Sequence, residues 1–196
     1  MHITKEERHK ITILYIAAIA YFLLSAFFYL NKGNQEFLYY IGLMVILISY
    51  FYFKHEEFKF TFEIYLGLFI IGFLHALGGV LYINGVKLYN IYFWILKYDN
   101  FVHFVASLII TLIAFNLLKP NLEQDFLKKP WKLGFLIVTI AMGLGAFIEI
   151  GELIAVIFFH AEQAVGTYLN NVLDLVFNLL GSLAGAIYLF LWHKTH

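Results

Sequence analysis

Long apolar stretches constrain this chain more than any other feature. A helix that crosses the hydrocarbon core of a bilayer needs about 20 apolar residues. Six stretches approach or exceed that length: Ile11–Leu30, Phe37–Phe53, Thr61–Ile83, Phe101–Leu118, Leu133–Phe159 and Val172–Trp192. Hydrophobic residues make up 62% of the chain, against roughly 45–50% in ordinary globular proteins. The sequence therefore predicts an all-α, polytopic membrane helical bundle with about six transmembrane helices.

The remaining segments leave no room for a separate soluble domain. The segment between the third and fourth stretches, Asn84–Asn100, is rich in tyrosine and also holds a tryptophan. Such residues favour the headgroup level of a bilayer, so we predict an interfacial segment there. No internal repeat is apparent, and we predict that residues 1–196 form a single transmembrane domain.

The distribution of lysine and arginine predicts the orientation in the membrane. If the N-terminus is cytoplasmic, only Lys32, Lys87 and Lys97 of the 13 basic residues fall on the outer side. Cytoplasmic segments of membrane proteins carry an excess of basic residues. We therefore predict that both termini are cytoplasmic and that the segment 160–171, which has no lysine or arginine, lies outside.

Charge and cysteine content exclude several classes of function. The formal net charge is zero, so nothing indicates a nucleic-acid partner. The chain has no cysteine, which excludes disulfides and thiolate metal sites. The expected partners are the lipid bilayer itself and a lipid or lipid-linked small molecule.

Polar residues of four predicted helices fall near the same, outer end of the bundle. At ~1.5 Å per residue they lie within roughly 15 Å of the outer interface. They are His75, the pair Asp99 and His103, the pair Glu149 and Glu152, and the pair Asp174 and Asn178. The spacing of each pair places both members on one helix face.

Several of these residues also suit a structural role. Asp99 and Asp174 have the chemistry of helix N-caps, and His75 suits an interfacial hydrogen bond. Glu149 and Glu152 are harder to explain in that way, because each charge inside an apolar span costs ~2.5–3.5 kcal/mol.

The charge balance at this end indicates a bound cation or protonated carboxylates. The last three predicted helices contain no lysine or arginine, whereas four carboxylates gather there. Neighbouring like charges in a low dielectric do not all stay ionised. Histidine and carboxylate groups are suitable ligands for zinc, iron or manganese. We therefore predict a transition-metal ion with these ligands: His75, His103, Glu149, Glu152 and Asp174.

The other roles follow from this assignment. Glu152, Asp174 and Asp99 are the candidate catalytic groups, with a glutamate suited to general-base chemistry. Asp99 and Asn178 are candidates for orienting a ligand or contacting substrate.

Four short motifs at these positions resemble a known group of membrane proteins. They are HALGG at 75–79, YDNFVHF at 98–104, EIGE at 149–152 and DLVFNLLGSLAGA at 174–186. In this pattern the chain resembles the VanZ-like and YjdF-like integral membrane proteins over roughly residues 60–190. VanZ-like proteins are associated with glycopeptide resistance, so the resemblance implies a role at the cell envelope. It implies no particular reaction.

Three kinds of function remain compatible with the sequence. The first is a metal-dependent enzyme, such as a hydrolase, acting on a lipid or lipid-linked cell-envelope substrate. The second is a proton- or cation-coupled transporter or ion pathway, although such proteins often show internal repeats. The third is a non-catalytic accessory membrane protein. Oligomers are possible through small-residue helix faces such as the one with Gly181 and Gly185.

The predicted orientation can be tested with single cysteines, because the chain has none of its own. We expect a membrane-impermeant thiol reagent applied to intact cells to label Gln163→Cys and to spare Lys129→Cys. Permeabilised cells, in which both positions should react, provide the control. Labelling of Lys129→Cys alone in intact cells would reverse the orientation.

Overall fold

A computed structural model of the chain describes residues 4–33, 35–159 and 168–195. Within these ranges the chain is almost entirely helical. The longer helices are α1 (Lys5–Lys32), α2 (Gln35–Phe53), α4 (Phe62–Val80), α5 (Tyr98–Leu118), α7 (Pro130–Phe159) and α8 (Tyr168–Thr195). Two short helices, α3 (His55–Phe58) and α6 (Gln124–Leu127), and two 3-10 turns, Leu88–Asn90 and Lys119–Asn121, complete the helical elements of the described residues.

The predicted helical membrane bundle is confirmed. Five of the described helices contain segments that are long and apolar enough to cross a membrane: Lys5–Lys32, Phe62–Val80, Tyr98–Asn121, Pro130–Phe158 and Tyr168–Leu191. The sixth predicted span, Phe37–Phe53, forms a shorter apolar helix. The predicted outer segment 160–171 lies outside the described residues except for its last four positions.

The helix of the third stretch ends before its predicted boundary, because a turn follows it. The third stretch was predicted to continue to Ile83, but α4 ends at Val80. The next residues form a hairpin in which Tyr82–Ile83 (β1) pairs with Val86–Lys87 (β2). Asn84 and Gly85 occupy the turn, both with positive φ. An Asn-Gly pair between apolar residues is a strong hairpin signal.

A second hairpin follows the first in the same register. Tyr92–Phe93 (β3) pairs with Leu96–Lys97 (β4), ten residues after the equivalent strands of the first hairpin. The closing hydrogen bonds are also equivalent. The amide of Leu88 donates to the carbonyl of Leu81 at 2.9 Å, and the amide of Tyr98 donates to the carbonyl of Ile91 at 2.9 Å. The connection between α4 and α5 is thus a tandem structural repeat, although no internal repeat was apparent in the sequence.

The chain forms two compact units, Met1–Asp99 and Asn100–His196, which are described separately. The predicted single transmembrane domain concerns the relation between them and stays a prediction. In the first unit, α1, α2 and α4 pack around an aromatic core that includes Phe22, Tyr29 and Phe37. The Tyr29 hydroxyl donates to the carbonyl of Ala76 at 2.8 Å, so this buried polar group is satisfied.

In the second unit, small residues of α8 let it pack directly on the backbone of α5. A Cβ atom at Gly181 would overlap the carbonyl oxygen of Phe104, and one at Gly185 would lie 2.9 Å from the carbonyl oxygen of Leu108. The predicted small-residue face of the last helix is therefore used inside the chain. On α7, by contrast, a Cβ at Gly143 would meet nothing within 4 Å.

The close packing at Gly181 generates a stability prediction. We expect Gly181→Ala to destabilise the protein by about 1–3 kcal/mol, because a helix backbone cannot move aside as a side chain can. Gly143→Ala is the matched control, and it should leave stability equal or raise it by up to about 1 kcal/mol through helix propensity. Unfolding in detergent with increasing denaturant measures both. Equal effects of the two substitutions would contradict this packing.

Candidate functional site

His75 lies in an aromatic environment of the first unit. Its Nδ1 is 2.5 Å from the Tyr89 hydroxyl, and its ring lies against the rings of Phe37 and Tyr40. The neighbouring Gly78 makes this possible, since a Cβ there would overlap the Tyr89 ring. The contacts of His75 thus favour the interfacial hydrogen bond that its position also suggested, while its predicted role as a ligand stays a prediction.

Asp99 is ion-paired at the start of α5. The Lys97 ammonium lies 3.0 Å from Asp99 Oδ2, and both side chains are buried. The second hairpin ends at Lys97, so the strand delivers this cation directly to the first turn of α5. From its position in the sequence, Lys97 was expected outside the predicted helices, where it could neutralise Asp99. The structure places it as a buried positive charge that offsets one of the four carboxylates.

His103 is the centre of the polar cluster of the second unit. Its Nδ1 lies 3.2 Å from Asn178 Oδ1 and 3.7 Å from Glu149 Oε1. Its Nε2 lies 4.0 Å from Glu152 Oε1 and 4.0 Å from Asp174 Oδ1. The structure therefore brings together five of the predicted residues, which come from α5, α7 and α8.

Asparagine side chains hold Asp174 from both sides. Asn100 Nδ2 donates to Asp174 Oδ1 at 2.9 Å, and Asn170 Nδ2 donates to Asp174 Oδ2 at 2.7 Å. The Asp174 side chain is completely buried. With both oxygens accepting from amide donors, this carboxylate is fixed in place and suited to carry negative charge.

Asn178 fixes the orientation of the His103 ring. An amide oxygen can only accept, so the hydrogen bond to Asn178 Oδ1 places a proton on His103 Nδ1 and leaves the lone pair of a neutral imidazole on Nε2. Ser107 donates to the same oxygen at 2.8 Å. Asn178 is completely buried, and a Cβ at Gly145 of α7 would lie 2.9 Å from its Nδ2. Glycine at this position of α7 thus makes room for the amide.

Glu149 and Glu152 approach the cluster from α7, next to an exposed apolar surface. Both glutamates are intermediate in burial, and Asn171 Nδ2 lies 3.5 Å from Glu149 Oε2. Their sequence neighbours Ile150 and Leu153 are more than half exposed. An exposed apolar surface of α7 thus lies beside the two glutamates.

Three buried residues of the cluster form a group that could hold a metal ion after small side-chain movements. Asp99, His103 and Asp174 each offer one potential ligand atom, and these atoms lie within 4.8 Å of one another. The boundary between the two units falls in the first turn of α5, the helix that carries both Asp99 and His103. Bonds of roughly 2.0–2.2 Å to a common ion place neighbouring ligand atoms about 3–4 Å apart.

Sequence reasoning identified Asn178 but missed three other neutral partners of this cluster. Asn100, Ser107 and Asn170 all donate hydrogen bonds within it. Their signal in the sequence is helical spacing, since Ser107 lies four residues after His103 and Asn170 four residues before Asp174. Polar residues at intervals of four on a membrane helix predict one shared polar face.

The fold and this cluster define an integral membrane protein with several membrane-spanning helices and a buried polar site. The chain belongs to the family described as "Predicted membrane protein (DUF2238)", whose model matches residues 11–195. No curated protein and no solved structure matches the chain. The multi-pass membrane location predicted from the sequence is thereby confirmed.

The pair of Lys97 and Asp99 generates a prediction about charge compensation. We expect Lys97→Met to cost about 3 kcal/mol of stability, because it leaves a buried carboxylate without its cation. Adding Asp99→Asn should recover much of that loss, since the amide removes the uncompensated charge. Denaturant unfolding of both single variants and the double variant forms a mutant cycle. Strictly additive effects would show that the two groups do not depend on each other.

Proposed function

We propose that the cluster around His103 is a transition-metal site of a membrane-embedded hydrolase whose substrate is a lipid or lipid-linked molecule. The observation that carries this proposal is that carboxylates of three helices lie close to the His103 ring. The Nδ1 atom of that ring is hydrogen-bonded to the Asn178 amide. A metal-bound histidine commonly donates its other ring proton to an oxygen acceptor in this way. The resemblance to VanZ-like and YjdF-like proteins adds a role at the cell envelope to the proposal.

The ligands that fit best are His103 Nε2, Asp174 and Asp99. These three side chains are buried and close to one another, and Asp174 is held by two asparagines. Zinc, manganese and iron all accept nitrogen and carboxylate oxygen ligands. Glu149 lies on the Nδ1 side of the ring, so we assign it to orienting His103 together with Asn178.

Glu152 is the group that we assign as general base. It lies on the Nε2 side of His103 and next to the exposed apolar residues of α7. A divalent ion supplies a water molecule with a lowered pKa. Glu152 would take a proton from that water, the oxygen would bond to the ester carbon or phosphorus, and the departing alcohol oxygen would receive the proton. The exposed apolar surface beside Glu152 suits a substrate with acyl or isoprenoid chains.

A conduction pathway is less well supported than an enzyme. Buried polar residues do continue along α5 and α8 beyond the cluster, as Thr111 and Ser182 show. The Thr111 hydroxyl, however, donates to the carbonyl of Ser107, and the Ser182 hydroxyl donates to the carbonyl of Asn178. These protons are used within their own helices, which favours a closed site at one end of the unit over a relay across it.

Metal content tests the site directly. We expect the purified protein, incubated with zinc, manganese or iron and then desalted, to retain about one ion per chain. His103→Gln and Asp174→Asn should lose that ion and the thermal stabilisation that the metal gives. Asp125→Asn is the matched control, because Asp125 is exposed and lies in α6. Equal metal content in all variants, or none in the parent protein, would exclude the metal site.

Glu152→Gln separates catalysis from metal binding. With Glu152 as the base, this variant should keep its metal and its stability but lose at least about 100-fold of any hydrolysis of nitrophenyl esters or phosphates in mixed micelles. Glu149→Gln, which we assign to orientation, should retain more activity. A Glu152→Gln protein that loses its metal would identify Glu152 as a ligand. If metal, stability and hydrolysis all stayed unchanged, Glu152 would have neither role.

A further inference from the structure

The two tandem hairpins share one backbone design but differ in the residues at their turns. The first turn consists of Asn84 and Gly85, with φ of 52° and 80°. Such a turn, with positive φ at both central residues, strongly favours Asn-Gly. The second turn consists of Trp94 and Ile95, and only Trp94 has a positive φ, at 63°. A two-residue turn of that kind ordinarily has glycine at its first position.

Trp94 therefore occupies a position that is unfavourable for a bulky residue. A large side chain in the left-handed region is strained, and such strain commonly accompanies function. Trp94 gains little from packing in return, because it is 92% exposed, and Ile95 is 70% exposed. Folding of the hairpin alone does not explain these two residues, since the first hairpin closes the same register with Asn-Gly.

Connectivity places this turn at the membrane surface. The first hairpin starts two residues after α4 ends, and the second is followed directly by α5. Both helices are long and apolar enough to span a bilayer. The connecting hairpins must therefore lie at the headgroup level, where tryptophan is enriched.

The turn of the second hairpin carries no charge. Residues 91–96 contain no charged group, and Lys97 is buried against Asp99. Lys87, at the equivalent position of the first hairpin, lies 4.8 Å from the centre of the Phe37 ring. The turn thus presents an uncharged aromatic and aliphatic surface, which suits the boundary between headgroups and acyl chains.

We infer that Trp94 and Ile95 form a membrane anchor that inserts into the leaflet in which α4 ends and α5 begins. The anchor holds the start of α5, which carries Asp99 and His103, at a fixed depth. The occupant of this surface is lipid. A second copy of the chain is the alternative that the experiment must exclude.

Fluorescence quenching tests the anchor in the intact protein. Trp131→Phe and Trp192→Phe leave Trp94 as the only tryptophan. In phosphatidylcholine vesicles, we expect lipid brominated near the headgroup end of its acyl chains to quench Trp94 strongly, and aqueous iodide to quench it weakly. Iodide quenching as strong as that of free tryptophan would overturn the inference. Protection from both quenchers would overturn it too, since protein would then cover the turn.

A graft of the first turn onto the second provides an independent measurement. Trp94→Asn combined with Ile95→Gly should fold at least as stably as the parent in detergent, because the strain is relieved. Transfer from detergent to vesicles should then raise its thermal midpoint by less than it raises that of the parent. An equal rise for both proteins would contradict lipid insertion.

Discussion

The direct contact between the α8 and α5 backbones is the interaction on which the polar site depends. Gly181 and Gly185 bring α8 so close to α5 that short side chains reach across the interface. Asn100 can then bond to Asp174, and Ser107 can bond to Asn178. At an ordinary interhelical distance of 8–10 Å, longer side chains would be needed to make these contacts. The hydrogen bonds of the polar cluster therefore depend on the close packing of these two helices.

The absence of water in a bilayer explains why the cluster contains so many neutral residues. A carboxylate in an apolar span must find its hydrogen-bond donors within the protein. Asp174 finds them in Asn100 and Asn170, which carry no charge and add no repulsion. Asp99 finds a cation in Lys97 instead. Two buried carboxylates close to one imidazole are thus stabilised by two different physical means.

Helices and site residues differed in how well the sequence predicted them. The length of the apolar stretches predicted the spans, because the thickness of the bilayer leaves few alternatives. The i,i+4 and i,i+3 spacings of the ionisable residues predicted that Glu149, Glu152 and Asp174 would gather with His103, as the distances show. Those spacings could not predict which residues lie beside Nδ1 of His103 and which lie beside Nε2. That arrangement depends on side-chain rotamers and on the space that Gly145 leaves for Asn178.

The α4–α5 connection was predicted less well, for a different reason. Its tyrosines and its tryptophan were interpreted through their affinity for headgroups, which says nothing about backbone conformation. The Asn-Gly pair carried the conformational signal. The second hairpin has no such pair, and only the ten-residue correspondence with the first identifies it. The assignment of Lys97 depends on that second hairpin, because its last strand ends beside Asp99.

Because of the tandem hairpins, the number of residues between α4 and α5 does not determine the distance between the two helix ends. In each hairpin, one hydrogen bond joins the residue before the first strand to the residue after the second. The chain therefore leaves each hairpin beside the point where it entered. Insertion or loss of a whole ten-residue unit would change the surface of the connection. The end of α4 and the start of α5 would need to move little. Such a segment can gain or lose whole hairpins, while the length of the helices that it joins stays limited by the thickness of the bilayer.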